Sequence, residues 1–136
     1  MPPSEQQAMK RVLLADDDSG VVDVLRANLE ADGYTVLVAR NGDEAWEIIR
    51  TQPLDLALLD VMMPGRDGLN VLAAIRDEPT LSALPVVLLT ARAGDEEIWA
   101  GWQAGANYYL TKPFQIEELL RYVRNLTGPQ GVEIAT

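Results

Sequence analysis

The stretch Leu54-Asp55-Leu56-Ala57-Leu58-Leu59-Asp60 is an apolar run that closes on a carboxylate, and the chain drops at once into Met62-Met63-Pro64-Gly65. A short run rich in Leu, without strict polar alternation, reads as a strand buried on both faces. A carboxylate at the end of such a strand is costly unless something occupies it. Two other segments repeat the pattern. Val12-Leu13-Leu14-Ala15 runs into Asp16-Asp17-Asp18, and Tyr108-Tyr109-Leu110 runs into Thr111-Lys112-Pro113. Strand ends of this kind can converge on one edge of a parallel sheet. Converging acids point to a hard cation, and a lysine beside them points to an anion held in the same place.

Outward from that stretch, apolar runs at 12–15, 35–39, 54–59, 86–90 and 108–110 are the expected strands, and helical patterns separate them. Asp18 or Ser19 can cap a first helix with Val21, Val24, Leu25 and Leu29 on one face, stopped at Asp32-Gly33. Asn41-Gly42-Asp43-Glu44 opens a second with acids in its first turn and Ala45, Ile48 and Ile49 inward. Leu69, Leu72, Ala73 and Ile75 line a third that ends before Pro79. Asp95-Glu96-Glu97 begins a fourth that stops near Gly105, and Ile116, Leu119, Leu120 and Val123 stripe a fifth. Five strands alternating with five helices imply right-handed βαβ units in a doubly wound α/β fold with a parallel sheet. Ligands in such folds bind outside the carboxyl ends of the strands.

The chain has 136 residues, the size of one ordinary domain, and 48% of them are hydrophobic. The expected folded domain spans 10–126, with a disordered tail at 1–9 and a flexible tail or truncated linker at 127–136. Cys and His are absent, which excludes disulfides and thiolate metal sites and disfavours zinc and iron. No apolar stretch approaches the roughly 20 residues of a spanning helix, and residues 1–7 lack a signal-peptide layout. A cytoplasmic domain is expected. The net charge of −10 argues against direct nucleic-acid binding by this chain. Lys10 and Lys112 are the only lysines, which draws attention to the second, beside Pro113 at a strand end.

Four motifs, in order, resemble the receiver domain of bacterial response regulators. They are Leu14-Ala15-Asp16-Asp17-Asp18, the run from Leu59-Asp60 through Met62-Met63-Pro64-Gly65 to Asp67-Gly68, then Leu89-Thr90-Ala91, and Tyr109-Leu110-Thr111-Lys112-Pro113-Phe114. The resemblance covers about Arg11 to Leu126. It implies a flavodoxin-like (βα)5 fold of the chemotaxis-regulator kind, with strand order 2-1-3-4-5. Asp60 resembles the phospho-acceptor, taking a phosphoryl group from a sensor histidine kinase or a phosphotransfer protein. Asp16, Asp17, Asp60 and the backbone carbonyl of Met62 resemble the Mg²⁺ site. Lys112 resembles the cation that meets a phosphoryl oxygen, and Thr90 and the Ala91 backbone N–H resemble its other partners. Thr90 and Tyr109 resemble the switch pair, which would reshape the face made by the fourth helix, fifth strand and fifth helix. The Lys112–Pro113 bond is expected to be cis on the same ground.

Taken singly, each motif has a plainer explanation. Asp16 and Asp17 could be a helix cap or solvated loop, Thr90 a β-branched strand terminus, and Tyr109 a half-buried ring. Asp67-Gly68 reads as a turn before the third helix, and Trp46, Trp99 and Trp102 as packing residues, the last two on a possible partner surface. The alternatives for the whole are a phosphate-independent interaction module and a Mg²⁺-dependent phosphatase. The intact set Asp16, Asp17, Asp60, Thr90 and Lys112 speaks against the first. Met62, where a phosphatase would need a second catalytic Asp, speaks against the second. A receiver turns over once per input and is not expected to be a turnover enzyme. Relatives that dimerise through ion pairs carry two acids where this chain has Asn107-Tyr108, and a basic residue where it has Tyr122, so a monomer or weak dimer is expected. In the family this chain resembles, the positions held here by Met62 and Arg92 flank the phosphoryl group, and the bulk of these two residues implies slow self-dephosphorylation. The effector is expected to be a separate protein or an output domain on a longer chain.

Overall fold

The five apolar runs become five parallel strands in the structure, a computed structural model that describes residues 9–91 and 94–128, the side chains of Asp95 and Glu97 excepted. The strands are β1 (Arg11–Ala15), β2 (Thr35–Ala39), β3 (Leu56–Asp60), β4 (Val86–Thr90) and β5 (Tyr108–Thr111). Between and after them run α1 (Ser19–Ala31), α2 (Gly42–Thr51), α3 (Gly68–Asp77), α4 (Asp95–Gln103) and α5 (Ile116–Thr127). The sheet order is β2-β1-β3-β4-β5, the flavodoxin-like arrangement expected. Ala15 lies level with Ala39 and Leu59, Asp60 with Leu89, and Thr90 with Thr111, so the carboxyl ends finish nearly together.

Alternate residues of each strand feed two cores. Val12, Leu14, Leu56, Leu58, Val87 and Leu89 pack against α1 and α5. Leu13, Ala15, Ala57, Leu59, Val86 and Leu88 pack against α2 and α3, with Ala104, Ala106 and Tyr109 from the α4–β5 region. Both faces of the sheet are therefore covered, and strands of this kind need no polar side. Side-chain caps start three helices. Asp18 accepts from the Gly20 and Val21 amides, Asn41 from Glu44 and Asp67 from Asn70.

Several boundaries and faces differ from expectation: β1 starts one residue earlier, at Arg11, and β5 ends one later, at Thr111. β3 begins at Leu56 because Asp55 turns its carboxylate to the Arg11 amide, 2.8 Å away, at the start of β1. On α1 the buried set is Val22, Leu25 and Leu29, while Val24 is half exposed. At about 100° per residue, Val24 stands roughly 200° round from Val22, well away from the buried stripe. The same geometry on α3 buries Val71 and exposes Ala73. Thr127, the first residue of the expected C-terminal tail, belongs to α5, and its hydroxyl lies 3.0 Å from that of Tyr34. The tail expectations for 1–8 and 129–136, and Arg92, lie outside the described residues. Among the described residues, no helix is long and apolar enough to cross a membrane.

Candidate functional site

Asp16 stands one residue past β1, and its amide donates to the Ala39 carbonyl at 3.1 Å, which fixes it over the edge between β1 and β2. The residue is fully buried. One carboxylate oxygen accepts from the Asp18 amide at 3.0 Å, and the other from Lys112 Nζ at 2.8 Å. Asp60 is the last residue of β3 and 5% exposed. Its Oδ1 accepts from the Met62 amide at 3.2 Å, and its Oδ2 from Lys112 Nζ, also at 3.2 Å. Lys112 is pinned in turn by its own amide, which donates to the Thr90 carbonyl at 2.7 Å. The Lys112–Pro113 bond is cis.

Asp17 is exposed, but Asp16, Asp17 and Asp60 can each place a carboxylate oxygen within 4.8 Å of the others. Thr90 ends β4 and is fully buried. It lies two residues beyond Leu88, the register partner of Tyr109, so Thr90 and Tyr109 are diagonal neighbours on one face of the sheet. Ala91 follows at the exposed edge, and Met62 holds its side chain 50% exposed next to Asp60. The close approach of α3 to this edge depends on Gly68. A Cβ there would lie 2.4 Å from the Asp60 carbonyl oxygen, so no other residue fits without moving the strand end.

Asp16 and Asp60 share one lysine, and the crowding shows in the protonation of Asp60 and of Lys112. Burial pushes the Asp60 carboxyl up from 3.8 to about 6, the Asp16 charge adds to the rise, and Lys112 and the Met62 amide oppose it. For Lys112, burial acts downward but is outweighed by the hydrogen bond to Asp16 and the charges of both acids, which raise its pKa. The donor set is all oxygen, partly exposed on the Asp17 side and short of positive charge. It fits a hard dication that keeps some of its water, Mg²⁺ above all, and it offers nothing to a soft metal.

Sequence reading anticipated Asp16, Asp17, Asp60 and Lys112, and the fold brings all four together. It did not anticipate that Lys112 lies closer to Asp16 than to Asp60, nor the role of Gly68. It also missed a groove of about 500 Å³ that starts at Lys112 and runs between α1 and the β5–α5 turn over Val21, Val24, Leu25, Phe114 and Ile116. The exposed Val24 is the signal that marks this groove in the sequence.

The sequence profile of the response regulator receiver domain matches residues 12–124. The chain belongs to that family. This receiver is 47% identical over 116 residues to the response regulator MprA of Mycobacterium ulcerans, a match that covers 85% of this chain and 49% of that protein. The receiver thus spans about half the length of the curated relatives it matches. Among solved structures, a putative response regulator from Chloroflexus aurantiacus superposes with a TM-score of 0.83 at 37% identity, covering 88% of this chain and 98% of that one. The receiver domain of sensor histidine kinase PA1611 from Pseudomonas aeruginosa superposes at 0.81 and 32% identity, over 88% of this chain and 98% of that one. That structure is described with a magnesium ion coordinated in its active-site cleft.

Proposed function

We propose that this receiver accepts a phosphoryl group from a histidine kinase or phosphotransfer protein onto Asp60 and passes the signal on through the face made by α4, β5 and α5. The observation that carries the reading is the sharing of Lys112 between buried Asp16 and Asp60, with Asp17 alongside. An oxygen of Asp60 attacks the phosphorus of a phosphohistidine. The P–N bond breaks, its electron pair leaves with the imidazole, and the imidazole takes a proton from solvent. Above about pH 6 the carboxyl is mostly ionised, so no general base is required. Mg²⁺ held by Asp16, Asp17, Asp60 and the Met62 carbonyl supplies positive charge to the phosphoryl oxygens when bound. Lys112, whose ammonium has three donors and gives two of them to Asp16 and Asp60, adds a point charge on a further oxygen.

The Thr90 hydroxyl and the Ala91 amide then serve the remaining phosphoryl acceptors. Movement of Thr90 changes the room available to its diagonal neighbour Tyr109, and the two packings exchange population. The kinase approaches over the apolar groove that opens at Lys112, since any donor that reaches Asp60 must cover the same edge of the sheet. The effector is a separate protein or an output domain of a longer chain, the latter in keeping with relatives of which the match covers about half. Where ion-pairing relatives would carry a charged network, Tyr108 and Tyr122 stack with centroids 4.0 Å apart and 12° between planes. The domain is accordingly a monomer or weak dimer; its net charge of −10 argues against direct contact with nucleic acid, and a cytoplasmic place suits a histidine-kinase partner.

The test is the intact mass after incubation with Mg²⁺ and a small-molecule phosphodonor, for the parent and for Asp60→Asn. One added phosphoryl group in the parent is expected, absent from the variant and absent without Mg²⁺. No addition from the small donor or from any phosphorylated kinase would replace this reading with a phosphate-independent interaction module. The added group should decay slowly, and Met62→Asn and Arg92→Ala should hasten its loss by admitting water. Unchanged decay in both variants would remove them from the account.

A further inference from the structure

Glycine is a poor choice for a helix interior, yet α4 carries Gly101 there, covered from solvent. Its neighbours give the reason. A Cβ at this position would lie 2.6 Å from Tyr109 Cδ2, 2.9 Å from Cε2 and 3.1 Å from Leu88 Cδ1. The edge of the Tyr109 ring therefore rests in the space a side chain would fill. Leu88 closes the other side as the register partner of Tyr109, and Thr90 is the diagonal neighbour of the same ring. On the outward side of α4, Trp99 is 64% and Trp102 45% exposed, so the helix that meets this ring also presents two indoles to solvent.

We propose that Gly101 is the positioning residue for the Tyr109 ring, and that the niche it leaves sets how readily Tyr109 and Thr90 rearrange once Asp60 is modified. The second half rests on the phospho-acceptor reading; the first half stands on the packing alone. The ring contact is made by carbon atoms, so the phenol hydroxyl is not needed for it. A methyl group at 101 must push the ring, the helix or both, because protein interiors leave no slack of that size.

The experiment is a double-mutant cycle on the intact chain with Gly101→Ala, Tyr109→Ala and the pair, repeated with Tyr109→Phe. Urea midpoints are read without metal, and affinity for beryllofluoride, a phosphoryl stand-in, is read with Mg²⁺. With Tyr109→Ala, Gly101→Ala should raise the midpoint, as helix propensity dictates. With the tyrosine or a phenylalanine present, that gain should vanish or reverse. Beryllofluoride affinity should change about threefold or more in Gly101→Ala, and not when the ring is absent. Equal stabilisation by Gly101→Ala in every background would overturn the positioning role. Coupled stability with unchanged affinity would overturn the link to the switch. If the parent binds no beryllofluoride, the phospho-acceptor reading fails and takes the set-point with it, while the urea cycle still decides the contact.

Discussion

At the amino ends of the strands Arg76 reaches from α3 to the Gly105 carbonyl (3.0 and 2.8 Å), the Leu84 carbonyl (2.6 Å) and Asn107 Oδ1 (3.0 Å). At the carboxyl ends, Lys112 is divided between two buried acids while a third lies close by. The first arrangement is closed: Asn107 Oδ1 also accepts from the Val86 amide at 2.9 Å, and the guanidinium matches the carbonyls around it. The second is short of one or two positive charges. Polar groups whose charge is matched hold a fold together, whereas a cluster with negative charge in excess favours a cation beside it. The sheet thus separates its two tasks by about the length of a five-residue strand, on the order of 17 Å.

The sharpest way to break this comparison is Arg76→Ala. It strips the partners from the Gly105 and Leu84 carbonyls together, and the expected loss is about 2–4 kcal/mol in urea unfolding. The variant should still accept a phosphoryl group, and added Mg²⁺ should not recover the loss. A functional defect without a stability defect would mean the amino end is more than a clamp.

Asp60→Asn probes the other end, with the opposite sign. The folded carboxyl titrates at about 6 against an ordinary 3.8, so across roughly pH 4–6 the metal-free folded state keeps a proton that the unfolded chain has lost. Stability falls as pH rises through that window, and the cost is complete above it. In EDTA at pH 7.5 the variant should therefore be more stable than the parent, on the order of 1–2 kcal/mol, with the gain fading towards pH 4. Mg²⁺ should stabilise the parent and help the variant less. Equal stability of parent and variant at both pH values would show that the pocket is already neutral without a metal.

Much of the carboxyl end was legible in the sequence because its chemistry is carried by residue types that strands rarely tolerate. An Asp after Leu58-Leu59, or a lysine after Tyr109-Leu110-Thr111, stands out against apolar neighbours. The amino end was not legible. Arg76 in the last turn of α3 looks like any cation near a helix C-terminus, and its role depends on carbonyls 8 and 29 residues away. Gly101 was silent for the same reason, since a glycine shows only what it omits. Helix faces were legible only roughly: Val24 and Ala73 read as inward because a short apolar stripe does not fix its own centre when its neighbours are apolar as well. Strand starts were blurred where Asp55, a side chain, supplies the hydrogen bond that the ladder would otherwise make.

Two smaller effects test the rule along the α5 side, on pairs that belong to neither polar cluster. Tyr108 and Tyr122 stack closely, and their double-mutant coupling should be about 1 kcal/mol, independent of salt.

The weakest expected effect is that of Arg124, whose Nε and Nη2 lie 2.9 and 3.0 Å from the two oxygens of Asp32 at the end of α1. The forked geometry is favourable, but both groups are in contact with water, and a pair of this kind contributes roughly 0.5 kcal/mol at low salt. Arg124→Gln should therefore cost about that much in 20 mM salt and close to nothing in 0.5 M, where charges a few ångströms apart are screened. The Arg76→Ala loss should barely change over the same range, because its partners are neutral carbonyls. If both losses fell with salt in parallel, the amino-end clamp would be held by charge after all, and the distinction between a paired end and an unpaired end would rest on the acids alone.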